Sequence, residues 1–99
     1  MRDKAPYYEG NKYYNRGRYE EAIKYYDLTL KENPRHNNAL IAKGDALYNL
    51  DKYDLSLECY EAVLNESPTV PTEIQLDALV GKGNVHYALN QYNEAIEDS

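Results

Sequence analysis

The 99-residue chain sets 11 Lys and Arg against 17 Asp and Glu, a formal charge of −6, and carries twelve Tyr with neither Phe nor Trp. That length holds one conventional core. The acidic balance excludes nucleic acid and anionic membrane as default partners, because both are held through Lys and Arg. Cys59 is the only cysteine, which rules out an intrachain disulfide and a cysteine-based zinc site.

No apolar run near Met1–Tyr7 serves as a signal-peptide core. Nowhere do about 18 apolar residues run together, so the expectation is a soluble, cytoplasmic chain. The charge is uneven. Residues 1–36 carry eight basic and six acidic side chains, a net of +2, and residues 37–99 carry three and eleven, a net of −8. Two readings stand: a solvated outer face, or attraction between a mildly basic front and an acidic back.

In chain order, Tyr7, Gly10, Tyr13 and Tyr14 recur at helical spacing and predict a first helix. Asn15-Arg16-Gly17-Arg18 supplies a turn. Tyr19, Ala22, Ile23, Tyr26 and Leu30 predict a second helix, which Asn33-Pro34 ends. The plan repeats from Ala39 to Leu50, turns at Asp51-Lys52, and runs from Tyr53 to Leu64 before Pro68. Thr72 reads as the N-cap of a fifth helix, and a sixth is expected to start near Tyr92. No segment alternates in the manner of a strand, so the fold class is all-α.

The plan is an internal repeat. Gly10 and Gly44, Tyr14 and Tyr48, Tyr19 and Tyr53, Tyr26 and Tyr60, and Pro34 and Pro68 are all 34 residues apart. Gly83, Tyr87 and Tyr92 follow Gly44, Tyr48 and Tyr53 at 39. The units are expected at 3–36, 37–70 and 76–99, with 71–75 an insertion that lengthens the third unit's first helix backwards. All form a single domain. The third unit stops about two turns into its second helix. Either the chain is a fragment of a longer protein, or another chain covers the face along Leu76, Leu79, Val80, Gly83 and Tyr87.

This helix–turn–helix pattern resembles the tetratricopeptide repeat (TPR) family. Gly10, Tyr13, Ala22, Tyr26 and Pro34 occupy the family's columns in the first unit, and Leu40, Gly44, Leu47, Tyr60 and Pro68 do so in the second, with Ser56 replacing the usual alanine. Leu79, Gly83, Tyr92 and Ala95 mark the third, where His86 takes a tyrosine slot as a packing residue. Pro6 and Glu9 depart from the preferred tryptophan and leucine, which predicts a frayed start to the first helix. The resemblance implies a right-handed superhelix of antiparallel helix pairs, about two and a half to three repeats long. Small residues would let helices cross closely, and tyrosines would fill the space between units.

The resemblance also implies a concave groove lined by the first helix of each unit, where an extended peptide or a partner helix binds. Column by column, this places Tyr7, Tyr8, Asn11, Tyr14 and Asn15 in it from the first unit. Ile41, Ala42, Asp45, Tyr48 and Asn49 come from the second, and Val80, Gly81, Asn84 and Tyr87 from the third. Tyr14, Tyr48 and Tyr87 make one ladder, and Asn11, Asp45 and Asn84 another. The ladders either hold a peptide backbone or reflect repeat packing alone. The clamp with which some family members grip a terminal carboxylate maps to Tyr7, Asn11, Ala42, Asp77 and Gly81, and only Asn11 matches. A neutral, aromatic or mildly basic peptide fits better than an acidic tail.

Catalytic chemistry has no foothold in the sequence. His36 and His86 lie far apart with no ligand-like neighbours, the serines have no base partner, and Gly81-Lys82-Gly83-Asn84 lacks the rest of a phosphate loop. Cys59 reads as structural. The expectation is a non-enzymatic interaction module without cofactor or metal. The alternatives are a self-associating stack, with a homodimer through the truncated third repeat, or a regulatory fragment of a larger protein.

Overall fold

The computed structural model describes residues 5–66 and 69–98, the last seven of these by backbone alone. It holds five helices among the described residues: α1 (Pro6–Asn15), α2 (Tyr19–Glu32), α3 (Asn37–Asn49), α4 (Tyr53–Leu64) and α5 (Thr72–Asp98). They pack as sequential antiparallel pairs, α1 with α2 and α3 with α4, and α5 lies against α3 and α4. Pro68, the expected stop after α4, lies outside the described residues.

Local chemistry sets each boundary. The first helix does not fray: Pro6 occupies its first turn and the amides of Tyr8 and Glu9 bond to the Ala5 carbonyl. Proline suits that position, since its fixed φ is helical and its missing N–H has no intrahelical role there. Gly17 makes the α1–α2 turn at φ 77°, and Asp51 takes the equivalent α3–α4 turn at φ 63°. A non-glycine residue in the left-handed region is tolerated best when it is Asn or Asp, and Asp51 Oδ1 accepts from the Tyr53 hydroxyl at 2.9 Å. His36 caps α3, its Nδ1 accepting from the Ala39 amide at 3.1 Å. Thr72 is the first residue of α5 rather than its cap, because the amides of Ile74 and Gln75 already bond to the Pro71 carbonyl.

Two tyrosines organise the packing. Tyr26 and Tyr60 are both fully buried, on α2 and α4. The Tyr26 ring lies on Gly10 of α1, and the Tyr60 ring is wedged between Gly44 of α3 and Gly81 of α5. A Cβ at any of these glycines would press into the ring. Ser56, in the column where alanine is usual, is also fully buried, and its hydroxyl donates to the Gly44 carbonyl at 2.7 Å. Around Tyr60 the core gathers Val63, Val70, Ala78 and Val85.

The third unit differs from the expected plan. Helix α5 runs unbroken for 27 residues through Asn90, the position equivalent to Gly17 and Asp51, so no separate sixth helix forms among the described residues. Asn enters the left-handed region only when packing repays it; the backbone at 90 instead keeps its helical hydrogen bonds. The side chains of Tyr92, Ala95 and Ile96 lie outside the described residues. With no further helix laid over it among the described residues, His86 is exposed rather than packed. Gly83, equivalent to Gly10 and Gly44, meets nothing within 4 Å.

The glycines therefore separate by context. Gly81→Ala drives a methyl into a buried ring that has no room to move, and should cost about 1–3 kcal/mol. Gly83→Ala adds a methyl to open space and should raise the melting temperature of dilute protein, because glycine inside a helix costs up to about 1 kcal/mol. Paired thermal melts of the two variants check this.

Candidate functional site

The inner helices α1, α3 and α5 lie side by side, with α3 touching both neighbours. Their common face holds the residues that repeat spacing assigns to a groove. Asn11 and Asp45 are half-buried one helix apart, and each is fixed by a buried tyrosine from the outer helix of its own unit. The Tyr26 hydroxyl donates to Asn11 Oδ1 at 2.6 Å, and the Tyr60 hydroxyl donates to Asp45 Oδ1. The Asn11 side-chain amine has no partner among the described residues, and Asp45 pairs with no cation among them.

The electrostatics of this strip are acidic. Burial raises the Asp45 pKa above its ordinary value, the nearby Asp77 carboxylate adds to the rise, and the Tyr60 hydroxyl opposes it. Burial likewise pushes the Tyr60 and Tyr26 phenols up, with Asp45 contributing to both. Both tyrosines therefore remain neutral donors at physiological pH.

The tyrosine ladder is partly architecture. Tyr14 meets the ring of Tyr19 edge-on with centroids 5.2 Å apart, and Tyr48 tilts against Tyr53 at 5.7 Å. Each pair clasps the two helices of one unit near their turn. The Tyr14 hydroxyl also accepts from Asn49 Nδ2 at 3.3 Å, joining α1 to α3. Ile41 and Tyr48 are half-buried against the Tyr60 core, so each presents only part of its surface. Tyr7 is half-buried between Tyr26 and His36, with centroids 6.0 and 5.0 Å away.

Other assigned positions stand clear. Tyr8, Asn15, Asn49, Val80, Asn84 and Tyr87 are exposed, Tyr8 and Tyr87 to 66%. Gly81 is buried under Tyr60 and Ala42 is half-buried. The structure thus brings Asn11, Tyr14, Asp45 and Asn49 together across α1 and α3. On α5, Val80, Asn84 and Tyr87 lie on a face that no described helix covers.

A depression lies on the side of α3 away from this face. Helices α2 and α4 do not touch, and a groove of about 680 Å³ opens between them, floored by Leu40 and Leu47 of α3. Ile23, Leu55 and Cys59 line its walls among Glu, Asp and Lys side chains. Repeat spacing did not point to it. The only signal was Leu55, which stands where the first unit has Glu21. Cys59 is buried there and burial pushes its thiol up to about 11, so it is a packing residue and an unreactive one.

Among the described residues no group of His, Cys, Asp and Glu could hold a metal ion, and no helix is long and apolar enough to cross a membrane. The sequence pattern described as the tetratricopeptide repeat matches residues 7–71. No curated protein matches the sequence.

Asp45 provides a test of the strip's electrostatics. A raised carboxyl pKa means folding disfavours the charged form. Its contribution is most favourable below the ordinary pKa and is lost as pH rises through the folded value. Asp45→Asn keeps an oxygen for the Tyr60 hydroxyl and removes the charge. The variant should melt above the wild type at pH 7, with the gap closing as pH falls through the carboxylate range. Thermal melts between pH 3 and 7 read it out.

Proposed function

The chain belongs to the tetratricopeptide repeat family, generally a family of protein-interaction modules, and we propose that its inner face takes an extended peptide or a partner helix. The observation that supports this most directly is the pair Asn11 and Asp45. Both are held in place by buried tyrosine hydroxyls, and both keep a polar group with no partner among the described residues. Prefixed groups bind with little ordering cost. An amide donor beside a carboxylate offers complementary bonds to a peptide backbone and to a basic side chain. Tyr8, Tyr14, Tyr48 and Tyr87 add aromatic area with polar tips, with Ile41, Asn49, Val80 and Asn84 at their sides.

The partner of this reading is a neutral, aromatic or mildly basic peptide. Asp45 and Asp77 repel an acidic tail, and Asp77 occupies a slot where a carboxylate-gripping family member needs positive charge. The chain works as a non-enzymatic scaffold.

A displayed peptide library selected on the wild type, followed by calorimetry on variants, tests the groove. Tyr48→Ala should weaken the selected peptides. Asp45→Asn should weaken those bearing Lys or Arg about tenfold, equivalent to about 1.4 kcal/mol, and leave neutral ones unchanged. Peptides that bind both variants as tightly as the wild type would place recognition elsewhere.

A further inference from the structure

The inner face is polarised along the stack, and two buried hydroxyls set the polarity. Asn11 and Asp45 occupy equivalent positions, 34 residues apart, and each spends one oxygen on the tyrosine of its own unit. The acceptor differs, so the group left over differs too. Tyr26 donates to Asn11 Oδ1 at 2.6 Å, which settles the amide's orientation and leaves Nδ2, a pure donor, on α1. Tyr60 donates to Asp45 Oδ1 and leaves Oδ2, a pure acceptor, on α3.

The neighbours keep that difference. Asn49 spends its Nδ2 on the Tyr14 hydroxyl at 3.3 Å and on the Asp45 carbonyl at 2.8 Å, so it adds no free donor to α3. The titratable groups that act on Asp45 are Tyr14 from α1, Tyr26 from α2, Tyr60 from α4 and Asp77 from α5. None of them is a cation. A carboxylate drawn part-way out of water among phenols and a second carboxylate is uncompensated, whereas buried charges are ordinarily paired.

We propose that Tyr26 and Tyr60 are positioning residues, and that through them the strip reads two features of one peptide: a backbone carbonyl at Asn11 and an arginine at Asp45, beside Asp77. This rests on the inner face being the peptide site. Packed helices lie about 8–10 Å apart and an extended chain advances about 3.3 Å per residue, so the two features lie about three residues apart. Arginine suits Asp45 better than lysine does. Its guanidinium is weakly hydrated, and its five N–H groups can reach two carboxylates where an ammonium makes a point contact.

The test uses peptides selected on the wild type from a displayed library, each remade with citrulline, a neutral isostere, in place of arginine. The selected peptides should share one arginine. Citrulline should weaken binding about tenfold on the wild type and less than about twofold on Asp45→Asn. Asp77→Asn should lose a smaller part of the same difference.

Two further variants test the hydroxyls. A bound cation favours the ionised carboxylate, so affinity for the arginine peptide should fall as pH drops through the carboxylate range. The Tyr60 hydroxyl opposes the rise in the Asp45 pKa, so in Tyr60→Phe that fall should begin at higher pH, while the citrulline peptide stays flat. Loss of packing alone would weaken both peptides at every pH. Asp45→Asn carries the charge arm whether or not Tyr60→Phe folds. Tyr26→Phe frees the Asn11 amide to turn, so it should weaken both peptides in the wild type and cost nothing further in Asn11→Ala.

Peptides without a shared arginine, a citrulline cost undiminished in Asp45→Asn, an unshifted profile in folded Tyr60→Phe, or additive effects of Tyr26→Phe and Asn11→Ala would each overturn the proposal. If Tyr48→Ala still weakened those peptides, the groove would stand without its polarity. A selection that yields no peptide would remove both.

Discussion

The ring of Tyr60 between Gly44 and Gly81 is the contact on which the rest of the structure depends. It joins three helices at one point. The ring comes from α4, one glycine from α3 and the other from α5, and the hydroxyl ends on Asp45. Burying a ring of this size contributes about 1.5–3 kcal/mol, and its hydroxyl offsets part of the cost of burying the Asp45 carboxylate. The ring fixes how closely the helices approach, and the hydroxyl fixes the rotation of α3 that aims Asp45 along the inner face. Surface ion pairs such as Arg18–Glu21 at 2.8 Å contribute at most about 1 kcal/mol and decide neither.

The same device occurs once more in the first unit. Tyr26 repeats the arrangement over Gly10 and Asn11. Over Gly83 and Asn84 no ring descends among the described residues, and both are exposed. In α3 the outer helix covers the corresponding face and buries Leu47. In α5 that face keeps its apolar side chains and acquires no cover among the described residues.

The helical period, the 34-residue spacing and the small-residue columns were legible in the sequence because each reflects a contact made inside one unit. Gly10 and Gly44 as points of close helix approach followed from the repeat, but not that the rings of Tyr26 and Tyr60 lie on them. What escaped was whatever depended on a neighbour being present or absent. His86 was assigned to packing by its column, yet it is exposed because no described helix lies over it. Asn90 was expected to turn, and helical hydrogen bonding carries the chain through it. On the inner face, column matching placed Asn11 and Asp45 one helix apart but did not show that their outer tyrosines hold them. The channel beside Cys59 had a single sequence signal, because it arises from two helices that do not meet.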